Sequence, residues 1–575
     1  MNKTTALLVA TGLLATLSRP AGAARRPELP ERSGPSVDGR AVEHRAKDPP
    51  ALVPVRRDAL TRALERGAID EATYALQRAL SLFNLDGVRA RYGAVARPPG
   101  EQATMILRDL VARLGGLSPK ELQRARRVLA RPDDSAPEPA GAPKYSVPSS
   151  RGCTPNFCIH WVDTTDDAPP AGDSDADSIP DYIETVAAVM EEVRAREVLA
   201  LGYRAPKPDT TSNNNGGDNR FDVYVANIGA DGIYGYCTTD DPNAQPGSGY
   251  RYFDVSAFCV LDDDYAEFPN EPLSSLRVTA AHEYFHAVQF SYDFLEDLWL
   301  MEGTATWIED EVFDEVNDNY QYLSRSALAA PQVPVDYGDE GFQYGAWLWW
   351  RFLTEYLGRS GAKDPLIVRQ TWENADAADP SRRGGGQPPD MYSLEAIFNA
   401  LDARGLRFRF AFADFAAVNY VADAFYEEGE SYVRKAGYPP ELRAKITRNR
   451  RNRSGSVTLD HLTSAYATYK PGRGVGDRAR LRVSVDLPNY GLGPEASIVT
   501  VKRSGALKVI ALELDSQGNA VRTVGFSKSK VFSVTVVVTN ASTRFVDCFR
   551  ANMPYSCMGL PQDDDQVFAW QVTLL

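Results

Sequence analysis

Ala281-His282-Glu283-Tyr284-Phe285-His286 is the stretch on which the reading of the whole chain turns. Residues four apart on an α-helix share a face, so His282 and His286 can offer two imidazole nitrogens to one Zn²⁺. Glu283, next to the first histidine, stands where it can take a proton from water activated at the same point. The flanks favour a helix: Ser274 or Ser275 can cap it, and Leu276, Val278, Thr279 and Ala280 continue it without a Gly or Pro break. The bland alternative is two histidines on a polar helix face.

A catalytic zinc needs a third protein ligand. The extended H-E-x-x-H-x-x-G-x-x-H pattern fails, because Gln289 stands where the Gly would be and Tyr292 where the third His would be. Sixteen residues after His286 comes Glu302, within Trp299-Leu300-Met301-Glu302-Gly303-Thr304-Ala305-Thr306-Trp307. It sits where a second helix would begin, among small residues that allow close packing against the first. A carboxylate flanked by Leu, Met and Trp must be paired or neutralised, since burying a lone charge is costly. Metal ligation would do this. Asp293, Glu296 and Asp297 are rivals, but they fall in the connecting loop, and the burial argument favours Glu302.

These residues resemble a known group. His282-Glu283-x-x-His286 with Glu302-Gly303-x-Ala305 is similar to the gluzincin metallopeptidases. More closely, residues 157–353 resemble secreted metalloproteases of the myxobacterial type, through Asp222-Val223-Tyr224-Val225, Gly235-Tyr236-Cys237 and Tyr344-Gly345-Ala346-Trp347 as well. The spacing from His286 to Glu302 is shorter than in the best-known gluzincins. The resemblance implies a zincin-like α+β catalytic domain, zinc ligands at His282, His286 and Glu302, and a general base at Glu283. In that chemistry Glu283 accepts a proton from water and returns it to the leaving amine. The tetrahedral oxyanion needs a further donor. His160 and His461 are distant in sequence, so Tyr344 is the candidate, with a core aromatic whose hydroxyl is satisfied elsewhere as the alternative.

A second constellation is Asp173-Ser174-Asp175-Ala176-Asp177-Ser178-Ile179-Pro180-Asp181-Tyr182-Ile183-Glu184. Oxygen donors stand at positions 1, 3, 5, 9 and 12, and Ile179 can give its backbone carbonyl at position 7, which is the EF-hand spacing. Ser178 replaces the usual Gly at position 6. So many like charges repel unless a cation neutralises them, so structural Ca²⁺ is expected at Asp173, Asp175, Asp177, Ile179, Asp181 and Glu184. A polar stretch at residues 213–218 could hold a further cation.

With 575 residues the chain exceeds one core, and roughly two to four domains are expected. A net charge of −14 argues against nucleic acid as a partner. No apolar run reaches the length of a membrane span. Lys3, the short apolar run 6–17 and Ala21-Gly22-Ala23 describe a secretory signal over residues 1–23 and an exported, extracellular protein. The six cysteines fall in neighbouring couples, Cys153/Cys158, Cys237/Cys259 and Cys548/Cys557, which fits disulfides with local pairing.

Charge divides the chain. Residues 24–132 hold 21 basic and 13 acidic side chains, residues 133–450 hold 25 and 54, and residues 451–575 hold 15 and 10. The first segment has helical periodicity at residues 59–64, 74–83 and 103–114, and Ser118-Pro119-Lys120-Glu121 opens another helix. A basic helical unit before an acidic one suggests a pro-region lying on the domain it precedes; a plain accessory domain is the alternative. Residues 133–150, rich in Pro, Ala, Asp and Ser, read as a linker, and 380–389 as a loose loop. Residues 151–450 alternate strands (157–161, 221–225) with helices (183–198, 275–292). Residues 451–575 carry short β-branched runs between Gly, Asn and Pro turns, which fits an all-β sandwich.

The expectation is therefore a multidomain exported zinc endopeptidase acting on protein or peptide. The C-terminal domain has a polymer or surface as its candidate ligand. A zinc-holding binding protein without turnover, and a zinc hydrolase of a non-peptide amide or ester, are the alternatives. Oligomeric state is not encoded in these patterns.

Overall fold

The computed structural model describes residues 57–134, 143–358, 363–383 and 390–575. The expected signal sequence 1–23, the start of the N-terminal region, linker residues 135–142 and loop residues 384–389 lie outside them.

Among the described residues the N-terminal region forms α1 (Ala59–Glu65), α2 (Glu71–Phe83), α3 (Leu85–Tyr92), α4 (Ala103–Ala112) and α5 (Pro119–Val128). Asp58, Asp70, Asn84 and Ser118 cap α1, α2, α3 and α5 through their side chains, and Ser118 forms a reciprocal capping box with Glu121. Helix α4 is buried from Ala103 to Val111, polar residues included, because it lies between α2 and a strand of the next region.

That region is built on a five-stranded mixed sheet of β1 (Ser150–Cys153), β2 (Phe157–Trp161), β3 (Phe221–Ala226), β4 (Gly235–Thr238) and β5 (Phe258–Asp262), in the order β1-β2-β3-β5-β4. The pairs β2–β3 and β3–β5 are parallel. The outer pairs are antiparallel, and disulfides Cys153–Cys158 and Cys237–Cys259 cross them. Helices α6 (Asp181–Arg194) and α7 (Pro272–Phe290) pack on this sheet. The cap of α7 is Glu271, with Pro272 at its first position, rather than Ser274 or Ser275. Eight further helices follow: α8 (Leu298–Val312), α9 (Phe342–Gly345), α10 (Trp347–Leu357), α11 (Leu366–Asn374), α12 (Leu394–Asp402), α13 (Phe408–Asn419), α14 (Ala422–Phe425) and α15 (Gly429–Ala436). One apolar core runs from Leu60 in α1 through the sheet to Tyr432 in α15, so the N-terminal helices share a core with the region they precede.

The C-terminal part is β-rich. Its first sheet comprises β6 (Glu441–Ile446), β8 (Thr463–Pro471), β10 (Pro494–Lys502), β11 (Leu507–Ala511) and β13 (Val531–Asn540), in the order β11-β10-β13-β8-β6. Its second comprises β7 (Asn452–Leu459), β9 (Arg480–Asp486), β12 (Asn519–Gly525) and β16 (Gln566–Leu574), in the order β12-β9-β16-β7. Between them Ile498, Val534 and Val536 meet Leu481, Val483 and Val572 in a second core. Strand β6 pairs with β8, which moves the start of this part from the expected residue 451 back to about residue 441. Helix α13 covers the outer face of the first sheet through Ala416, Ala417, Val499 and Val537. Burial on both faces explains the unbroken β-branched run in β13.

A small hairpin of β14 (Phe545–Val546) and β15 (Leu560–Pro561) carries the Cys548–Cys557 bridge. No helix among the described residues is long and apolar enough to cross a membrane.

His461 fastens the C-terminal part to the loop before α9. Its Nε2 lies 3.0 Å from Asp336 Oδ1 and its Nδ1 2.7 Å from Asp564 Oδ1. Burial would lower its pKa, but the two carboxylates outweigh it and raise it from 6.5 to about 9. A folded-state pKa above the unfolded value gives stability that is complete below pH 6.5 and lost as pH rises through 9. Urea titration should show up to about 3 kcal/mol lost across that window, and His461→Gln should flatten it.

Candidate functional site

Helix α7 holds His282, Glu283 and His286 at its centre, where it is buried on all sides. Glycine at 235 permits this: a Cβ there would stand 2.7 Å from Thr279 Cγ2 and 3.3 Å from Glu283 Cγ, so β4 could not lie so close to α7. Glu302 lies in the second turn of α8 and is fully buried. Gly303 beside it lets α8 approach α9 and α10, since a Cβ there would meet Ala346 Cβ at 3.2 Å.

Three ligand atoms converge. His282 Nε2 and His286 Nε2 are 3.0 Å apart, and Glu302 Oε2 is 3.2 Å from the first and 3.6 Å from the second. Glu302 Oε2 is buried without a hydrogen-bond partner, so an oxygen lone pair and two ring nitrogens point at one spot. This donor set fits a tetrahedral N₂O site that keeps a fourth position open. Burial pushes the Glu302 carboxyl up, but the adjacent imidazoles prevail and hold it at about 2.

Two residues missed from the sequence fix the rings. Glu309, two turns along α8 from Glu302, lies 2.6 Å from His282 Nδ1. Gln289 Oε1 lies 2.7 Å from His286 Nδ1, while Gln289 Nε2 donates to the Met301 carbonyl and to Thr304 Oγ1. Outer-nitrogen partners of this kind set the tautomer of a ligating imidazole. Glu309 and His282 are on different helices, so no spacing rule connects them. Gln289 was legible as an i, i+3 neighbour of His286 on the same helix.

The rival carboxylates are occupied elsewhere. Asp293 accepts from the Leu295 N–H, Glu296 from the Asp297 and Ser393 N–H groups, and Asp297 from the Cys557 N–H. His160 faces Asp222, and His461 faces Asp336 and Asp564. Tyr344 does reach the site: its hydroxyl lies 3.3 Å from Glu302 Oε1 and 2.9 Å from the backbone carbonyl of Glu101. Tyr322 stacks on its ring.

The N-terminal region enters the same site. Thr104 Oγ1, in the first turn of α4, donates to Glu283 Oε2 at 2.7 Å and accepts from the Cys237 N–H at 2.8 Å. Gly100 lies flat against the backbone of Gly232, where a Cβ would strike the carbonyl oxygen. Arg108 donates to the Glu296 carbonyl. Arg131, expected at the edge of a linker, is instead fully buried, with Asp209, Asp222 and Asp240 at 2.6, 2.5 and 2.9 Å. Past the linker, Tyr145 is buried too, its hydroxyl against the His160 and Val225 carbonyls.

In the acidic loop, carboxylate oxygens of Asp173, Asp175 and Asp177 gather within 4.8 Å of one another. Ser178 adopts φ +75, the left-handed conformation usually met by Gly at this position of such loops. Asp181 turns to the Ser174 N–H and hydroxyl. Glu184, on the first turn of α6, is raised by desolvation and then by the charges of Asp175, Asp177, Asp181 and Asp173. The 213–218 stretch is spent on protein contacts: Asp218 pairs with Arg220, and Asn214 donates to Asp133 and Asp134.

No family model matches the chain, and no curated protein matches it. Several solved structures share some likeness with it, three of them as follows. The pre-peptidase C-terminal domain of collagenase from Bacillus anthracis is 14% identical, over 24% of this chain and 97% of that one, with a TM-score of 0.14. A surface-associated copper-binding protein of Methylomicrobium album BG8 is 8% identical, over 24% and 99%, with a TM-score of 0.14. A family GH115 4-O-methyl-α-glucuronidase is 10% identical, over 53% and 38%, with a TM-score of 0.13. Likeness at that level carries no argument about fold or activity.

Arg131→Ala should leave three carboxylates without their shared cation. It is expected to cost about 3–5 kcal/mol in urea unfolding and to speed tryptic cleavage of the N-terminal helices. An unchanged midpoint would mean that Arg131 does not anchor them.

Proposed function

We propose that the chain is a secreted zinc-dependent endopeptidase of the gluzincin kind, made with its N-terminal helical region as a pro-region over a zincin-like domain. The observation that carries this reading is the convergence of His282, His286 and Glu302, beside the Glu283 carboxylate on the same helix. These three residues would hold a zinc ion, which when bound supplies a Lewis acid for water and for the carbonyl of the scissile peptide bond.

The chain's own residues supply the proton handling and the positioning. Glu283 takes the proton of the attacking water at its carboxylate and passes it to the leaving amine nitrogen. Glu309 and Gln289 hold the outer ring nitrogens, so the inner ones stay turned to the ligand point. Tyr344 is the donor for negative charge growing on the substrate carbonyl oxygen.

Latency of the intact chain is supported by the same contacts. While Thr104 donates to Glu283 and the Glu101 carbonyl accepts from Tyr344, the base and the donor are both engaged. Release of residues 24–132 would free them. At the acidic loop, Asp173, Asp175, Asp177, Asp181, Glu184 and the Ile179 carbonyl are the proposed holders of a structural Ca²⁺ at the start of α6.

The test is metal content and casein hydrolysis on the secreted protein and its Glu283→Gln variant, with N-terminal sequencing of each. Zinc is expected at one ion per chain in both, with calcium alongside, and hydrolysis only in parent material that has lost the N-terminal helices. Equal turnover in the variant would end the mechanism, and absence of zinc from both would end the site. Glu309→Ala should weaken zinc binding about 10- to 100-fold in chelator competition, and an unchanged affinity would remove Glu309 from the site.

A further inference from the structure

One side of the C-terminal part carries a cleft that the zinc site does not explain. It has a volume of about 830 Å³ and opens between the edge strands of the two sheets, β12 and β11. Arg478, Arg480 and Arg522 line it from the β9–β12 side, Lys502, Arg503 and Lys508 from the β10–β11 side, and Lys530 closes the end. All seven are exposed. The cleft thus gathers seven of the 15 basic side chains of residues 451–575 and one of their 10 acids, Asp477. That carboxylate is engaged by the hydroxyls of Ser529 and Ser527. Among the described residues, Arg478, Arg480, Lys502, Lys508 and Arg522 make no ion pair within 4.0 Å.

Strand alternation makes the arrangement unusual. Lys508 shares a face of β11 with Ile510, and Arg522 shares a face of β12 with Val524, and all four line the cleft. Further along, those faces contribute Ile510 and Val524 to the core between the sheets. At the cleft, cations stand where the apolar pattern would otherwise continue. Inward charges at sheet edges do keep strands from pairing with other chains. Five cations without an ion pair around one cavity go beyond that use, and they repel each other until an anion enters.

We propose that this cleft binds an acidic polysaccharide through its carboxylate or sulfate groups. The arginines present planar donor forks suited to such groups, and the Thr500, Thr523 and Ser504 hydroxyls stand between them as further donors. A polymer suits the cleft better than a single anion, because the cations line both walls and one end. Nucleic acid is disfavoured: no aromatic side chain lines the cleft, and single strands are gripped largely by base stacking. This site is independent of the zinc reading.

The experiment titrates the full-length chain with a fluorescent heparin oligosaccharide at low and moderate salt. Saturable binding that weakens steeply with salt is expected. The Arg480→Ala/Arg522→Ala variant should bind roughly tenfold or more weakly, with an unchanged thermal midpoint. Lys502→Ala/Lys508→Ala, on the opposite wall, should do the same and serves if the first pair fails to fold. Arg62→Ala/Arg66→Ala removes equal charge from the N-terminal region and should leave binding intact. No binding, equal loss in that control, or equally tight binding of single-stranded DNA of matched charge would overturn the proposal.

Discussion

The burial of charge is the constraint on which this structure depends. Glu302, Arg131 and Arg351 are fully enclosed, and of the carboxylates that meet the two arginines only Asp240 is partly exposed. A lone ion in such surroundings costs several kcal/mol, so each must be met by an opposite charge, by aligned donors or by a metal. Around Glu302 the answer is two imidazole nitrogens that themselves face inward. Around Arg131 it is three aspartates. At Arg351 it is Asp310 and Glu311, which tie α10 to α8. These compensated charges set how the helices and the sheet lie against each other.

The same constraint makes the N-terminal helices part of the whole. Their basic excess is neutralised partly in the acidic region below, through Arg131 and through Arg97 on Asp231. Their apolar faces share its core. A segment held by both terms cannot be a loosely tethered appendage, and the Glu101 carbonyl just before α4 and Thr104 in its first turn meet Tyr344 and Glu283. Docking and occlusion of the candidate site are thus one event in this fold.

The C-terminal part repeats the theme with the opposite sign. Its cleft leaves cations unmatched, whereas the buried charges Glu302, Arg131 and Arg351 each face opposite charge or ring nitrogens. Uncompensated charge of this sort is tolerable because the cleft is open to solvent, where screening is strong. It is also what a site for a charged ligand requires, whereas a packed interface would have eliminated it.

The sequence by itself determined the features that are local. The helix carrying His282, Glu283 and His286, the capping box at Ser118, the three disulfide pairs and the strands at 157–161 and 221–225 depend on residues close in the chain. Periodicity and cap chemistry report on just such residues. Glu302 was within reach because a carboxylate among Leu, Met and Trp signals burial. Tertiary structure alone decided the rest. Glu309 and Thr104 reach the site from other helices, Arg131 lies at the edge of a stretch whose composition reads as linker, and β6 pairs in parallel with a strand that follows it by some twenty residues. Sequence patterns record which way a side chain must face. They do not record which distant partner compensates its charge, because that is fixed only when the separate faces are packed together.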